Sequence, residues 1–168
     1  MSYLRVCKYK PSNPETRITM AEPNSPSPLT RQPGDSPARQ KLISLRNSLL
    51  KIHKTLLDME RRDYERANGA VNAGELFRLV IGHAQFAWLH NISEFVVRID
   101  ETLSGDEPVT PEDATTAMTL ARKMFVPTES GDGFQKQYFD AIQREPAVVM
   151  EHAELARLFN AEPPERTA

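Results

Sequence analysis

Thirty residues, Arg39 to Asn68, repeat their apolar side chains at helical spacing without a break. Leu42, Leu49 and Leu56 fall at heptad position a, and Leu45, Ile52 and Met59 at d. Position b is also apolar (Ile43, Leu50, Leu57, Tyr64), whereas c, f and g are polar throughout. At about 100° per residue the a, b and d rows make an arc roughly 160° wide, too wide for a two-stranded seam. The pattern predicts a long helix at the centre of a bundle, touched by several neighbours. Position e falls inside that arc and is occupied by Arg46, His53 and Glu60. Residues seven apart are about 10.5 Å apart along a helix axis, so these three must find partners on other helices. Candidates are His83, His90, Glu94, Asp100, Glu101, Glu151 and His152. Buried polar groups are usually paired for structure, so the row reads first as a register lock and second as the floor of a site.

The remaining chain supplies the neighbours. Asn72 with Glu75 forms a capping box, opening a second helix that is apolar nearly all round (Leu76, Phe77, Leu79, Val80, Ile81) and is expected to be buried. A break is expected near Gly82–His90. Asn91 with Glu94 reads as a further capping box, opening a helix to about Leu103 with Ile92, Phe95, Val96 and Ile99 inward; Glu94 and Arg98 are spaced for an ion pair. Thr110-Pro111-Glu112-Asp113 starts another helix, Asp132 with Gln135 the next, and Pro146 the last. No strand-like alternation occurs. The fold class is all-α: a bundle of four to five helices around a long central helix.

Of the 13 prolines, seven lie in the first 38 residues, among Ser, Asn and Thr. Such a composition does not bury enough apolar surface to offset the entropy of ordering, so residues 1–38 are expected to be a disordered Pro/Ser-rich tail. The bundle domain then spans 39–160 and a short tail 161–168. Translation from Met20 would leave residues 1–19 outside the natural protein. A net charge of −2 offers no field for nucleic acid or an anionic membrane. The one cysteine, Cys7, excludes an internal disulfide and a Cys-based zinc site. With no apolar run of about 20 residues and no leader pattern, a cytoplasmic location is expected.

Three motifs carry a resemblance. They are Leu49-x-x-x-His53-Lys54-x-Leu56-Leu57-Asp58-x-Glu60-Arg61; then Phe86-Ala87-Trp88-Leu89 with Arg98-Ile99-Asp100-Glu101; and Tyr138-x-x-Ala141-Ile142-Gln143-Arg144-x-Pro146-x-Val148-Val149-x-x-His152. Over about residues 40–160 the chain resembles a set of small bacterial all-helical proteins. The resemblance implies a fold and a bacterial source but no activity. Those proteins often carry proline where this chain has Ala84, which implies a softer kink.

Three chemistries can be weighed. The e row, with His90, Glu94 and His152, could bind a ligand, and the candidate binding set is His53, Glu60, His90, Glu94 and His152. Metal binding is not expected, because Glu-x-x-His, His-x-x-x-His and His-Glu-x-x-His spacings are all missing; no cofactor is expected either. Arg46-Asn47-x-x-x-x-x-His53 resembles the Arg-x(4–6)-His motif of the HEPN superfamily. That resemblance implies RNA cleavage across a dimer, with Arg46 and His53 catalytic. The reading favoured over these is a non-enzymatic module for protein interaction or regulation. It has a protein partner, no nucleic acid and no membrane; a homodimer is compatible, although no stretch marks its interface.

Overall fold

The computed structural model describes residues 36–131 and 133–161. Among these the chain forms six α-helices, a 3-10 helix and no strand. The elements are α1 (Pro37–Asn68), α2 (Ala73–Gly82), the 3-10 helix (Ala84–Leu89), α3 (His90–Ser104), α4 (Pro111–Met124), α5 (Gly133–Arg144) and α6 (Pro146–Asn160). The expected tail residues 1–35, with Cys7 and Met20, and 162–168 lie outside the described residues, as does Asp132.

α1 starts at a proline in its first turn, where the missing N–H has no intrahelical acceptor to lose. Ser36 caps it, its hydroxyl accepting from the Arg39 amide at 3.1 Å. At the far end Gly69 takes a positive φ of 91° and its N–H returns to the Glu65 carbonyl. Between these ends the a and d rows are withdrawn from water: Leu42, Leu45, Leu49, Ile52, Leu56 and Met59 are all buried. α3, α4, α6 and the 3-10 helix pack directly on α1, whereas α5 reaches the core through α6 and the 3-10 helix. The inward stripes are Ile92, Phe95, Val96 and Ile99 on α3; Ala114, Met118 and Ala121 on α4; Phe134, Tyr138 and Ala141 on α5; and Val148, Leu155 and Phe159 on α6. Trp88, Phe125, Phe134 and Tyr138 form an aromatic cluster, with the Phe134 and Tyr138 rings stacked at 5.7 Å.

Three expectations are corrected. First, the b row shares the core only in its second half: Leu57 and Tyr64 are half-buried and pack against it, whereas Leu50 is 39% exposed and Ile43 half-buried without joining it. The core stripe is therefore narrower than the apolar arc. Second, α2 has no buried residue, and Phe77 and Ile81 are 66% and 61% exposed. Its ten residues pack mainly on the 3-10 helix. Only Leu76, Leu79 and Val80 lean against the core, because the other helices do not reach over it. Third, Asn91 and Glu94 form no capping box. The 3-10 helix runs straight into α3, so the amides at its start are already bonded, and the Asn91 side chain donates to the Trp88 carbonyl instead. The cap falls earlier, at His83, whose Nδ1 accepts from the Gln85 amide at 3.2 Å. The capping boxes Asn72/Glu75 and Thr110/Asp113 are both present.

The two rows of α1 separate in a stability measurement. Leu49→Ala, at a fully buried a position, is expected to cost about 3 kcal/mol in urea unfolding. Leu50→Ala, one residue away at b, is expected to cost under about 1 kcal/mol.

Candidate functional site

The polar row of α1 faces α3, which runs antiparallel to it. Arg46 pairs with Asp100 through both guanidinium and carboxylate arms. Seven residues on, His53 Nε2 shares a hydrogen bond with the Ser93 hydroxyl at 3.2 Å, seven residues back on α3. One heptad further, Glu60 Oε2 accepts from Gln85 Nε2 at 2.8 Å, and the same amide nitrogen donates to the Glu60 carbonyl at 3.0 Å. One heptad before Arg46, Arg39 Nη1 donates to the Leu103 carbonyl at 2.6 Å. The rungs thus step by heptads along α1 while their partners run back from Leu103 through Asp100 and Ser93 to Gln85. Asp100 is among the partners expected from the sequence. Ser93, Gln85 and the Arg39 rung are not, because a hydroxyl, an amide and a backbone carbonyl carry no charge to single them out.

Burial rises along the ladder. The Arg46 side chain is 34% exposed, His53 is half-buried, and Glu60 is the one buried charged residue among those described. Glu60 also meets Arg144 Nη2 at 3.5 Å, and Arg144 Nη1 reaches Asp63 at 3.1 Å. Arg62 pairs with Glu145 beside them. Glu60 therefore ties α1 to the 3-10 helix and to the end of α5.

Burial lowers the affinity of His53 for a proton below the ordinary value of 6.5, and the nearby imidazole of His90 lowers it further. His90 Nε2 lies 2.7 Å from the Val80 carbonyl, so that nitrogen carries the hydrogen and donates it to the last turn of α2. The contact between the Ser93 hydroxyl and His53 has the form of a nucleophile beside a base. No second hydrogen bond orients the imidazole among the described residues, and the hydroxyl also lies 3.4 Å from the Leu89 carbonyl of its own helix. His152 is elsewhere: its Nδ1 bonds the buried Tyr138 hydroxyl at 2.8 Å. Burial lowers the His152 pKa and raises that of Tyr138. Glu94 shares a shallow cleft with His90 and Ser93. The expected Glu94–Arg98 ion pair is missing among the described residues, although both side chains line that cleft. The five candidate binding residues thus fall at three places: His53, His90 and Glu94 near the start of α3, Glu60 at the 3-10 helix, and His152 between α5 and α6. No three His, Cys, Asp or Glu side chains among the described residues converge as metal ligands.

The open surface lies elsewhere. α3 and α4 each pack along α1 but hardly touch one another. The furrow between them holds two adjoining hollows, of about 270 and 230 Å³, which share Phe95, Arg98 and Leu120. Leu42 of α1 lies on its floor, Ile99 and Ala117 on its walls, and Leu120 is 48% exposed. No residue type along α4 signals that a neighbour is lacking on this side. A second cleft of about 610 Å³ separates the end of α1 from α2, between Tyr64 and Arg78.

No protein-family model, curated protein or solved structure matches the chain. No described helix is long and apolar enough to cross a membrane.

Two measurements probe the ladder. Glu60→Ala leaves the Gln85 amide only the backbone carbonyl of residue 60 and takes one carboxylate from Arg144, and is expected to cost about 1 kcal/mol in urea unfolding. The lowered pKa values of His53 and His152 mean that the unfolded chain takes up protons that the folded chain refuses. Stability is therefore complete above the ordinary histidine value of 6.5 and falls as pH drops below it. The urea midpoint should decrease between pH 7.5 and 5.5, and His53→Gln should flatten the decrease.

Proposed function

We propose that this chain is a non-enzymatic, cytoplasmic helical bundle of bacterial type that works by protein interaction, receiving a segment of a partner protein between α3 and α4. One observation carries the reading: two helices that both pack on α1 leave an open, apolar-floored furrow between them. Leu120 stands 48% exposed beside a floor already buried by this chain, and an exposed apolar side chain in a concave, polar-rimmed surface supports an interaction site. The furrow has the form that receives an amphipathic helix through anchors spaced by three and four residues. The exposed Phe77 and Ile81 on α2 add apolar surface of the same kind elsewhere on the bundle.

The competing reading is a ligand-, metal- or RNA-processing bundle centred on His53. RNA cleavage of the HEPN kind needs Arg46 and His53 to act together on one phosphate. Here Arg46 is engaged by Asp100 and His53 by Ser93, which speaks for structural roles. Purified wild-type and His53→Ala chains are expected to leave RNA equally intact; cleavage lost with His53 would favour the enzyme.

The interaction reading is tested by placing a photoreactive amino acid at Thr116, an exposed residue of the furrow. In the host cell one discrete cross-linked product is expected, and Leu120→Asp should remove it without shifting the unfolding midpoint. No product, or a product indifferent to Leu120→Asp, would overturn the reading; a product with the mass of two chains would make the partner a second copy.

A further inference from the structure

We infer that the occupant of the α3/α4 furrow is a basic amphipathic helix of about three turns, contributed by another protein. This rests on the interaction reading above and adds the chemistry of the partner.

Length comes first. The furrow is lined on α3 from Asn91 to Thr102 and on α4 from Glu112 to Met124. Eleven steps along α3, at 1.5 Å each, make a trough about 16 Å long. A helix of about eleven residues fills it, setting its apolar stripe against exposed Leu120 and half-buried Ala117, above the already buried Phe95 and Ile99.

Charge comes second. The furrow carries three carboxylates, Glu94, Glu112 and Asp113, against one guanidinium, Arg98. Asp113 is committed to the cap of α4: it accepts from the amide and hydroxyl of Thr110, and these bonds hold its pKa below the usual range. Glu94, Glu112 and Arg98 make no ion pair among the described residues. An acidic rim with unspent carboxylates around an apolar floor favours lysine or arginine flanking the apolar stripe of the incoming helix, and disfavours an acidic helix or a nucleic acid.

Source comes third. A stable dimer buries about 800 Å² on each partner, more surface than a trough about 16 Å long provides. A second copy would also have to present a basic helix. The arginine-rich end of α1 is already engaged, through Arg61–Glu65, Arg62–Glu145 and Arg66–Asp63. A segment of a different protein fits both constraints.

The test uses the full chain and three synthetic fourteen-residue helical peptides (~14 residues covers the trough with one flanking turn). The peptides share one leucine stripe and differ only in flanks of lysine, glutamine or glutamate. Binding is followed by fluorescence anisotropy. The lysine peptide is expected to bind about tenfold or more tighter than the glutamine peptide, and the glutamate peptide least. The double variant Glu94→Gln, Glu112→Gln should erase most of the difference between the lysine and glutamine peptides, and Leu120→Asp should weaken both. Equal binding of the lysine and glutamine peptides, or preference for glutamate, would overturn the basic partner while leaving the interaction reading standing. Lysine-peptide binding unaffected by Leu120→Asp, or no binding by any peptide, would overturn both.

Discussion

Among the described residues, α1 is the one element on which α3, α4, α6 and the 3-10 helix all pack, and its a and d rows are buried there. Burial of apolar area is strong but not directional, at about 25 cal/mol per Å² removed from water whatever the angle or register. A stripe of leucines would accept a neighbour slid by one turn at little loss. A one-turn slip of α3 would separate Asp100 from Arg46 and Ser93 from His53 together, so the rungs from Arg39 to Glu60 are the contacts at this seam that depend on register. The buried a and d rows supply the part that does not.

The same central helix explains the open furrow. Cylinders of equal width leave room for about six neighbours round a central one at interaxial distances near 10 Å. Three helices and a short 3-10 segment occupy part of that circle around α1. The vacant sectors are visible as the α3/α4 furrow and as the half-exposed b row of Leu50. An apolar arc wider than the number of neighbours able to cover it is thus the physical origin of both surfaces.

Much of the architecture was legible from local chemistry. α1 could be read from its heptads. Pro111 and Thr110, Asn72 and Glu75, and Pro146 marked helix starts through bonds made within four residues. Failures came where the outcome depended on distant chain. Asn91 and Glu94 satisfy a local capping rule, but the 3-10 helix had already bonded the amides they would serve. α2 is as apolar as a buried helix, yet its place at the far end of α1 decides its exposure. Arg46, His53 and Glu60 were recognisable as a row needing partners, because three polar side chains recur at one heptad position. That Ser93 and Gln85 would supply two of them depends on helix register, which no residue type announces.

Three helices end against a side chain from another element. Arg39 of α1 holds the Leu103 carbonyl in the last turn of α3. His90 of α3 holds the Val80 carbonyl of α2. Arg122 of α4 holds the Phe159 carbonyl of α6 and lies over its ring. Each is a cation or donor at the negative end of a helix dipole. Fraying, ordinarily the cheapest local opening of a helix, would at these ends also break a contact between elements. The last turns are thereby enrolled in the cooperative unit of the bundle, and peptides cut out as single helices would lose their ends before their middles.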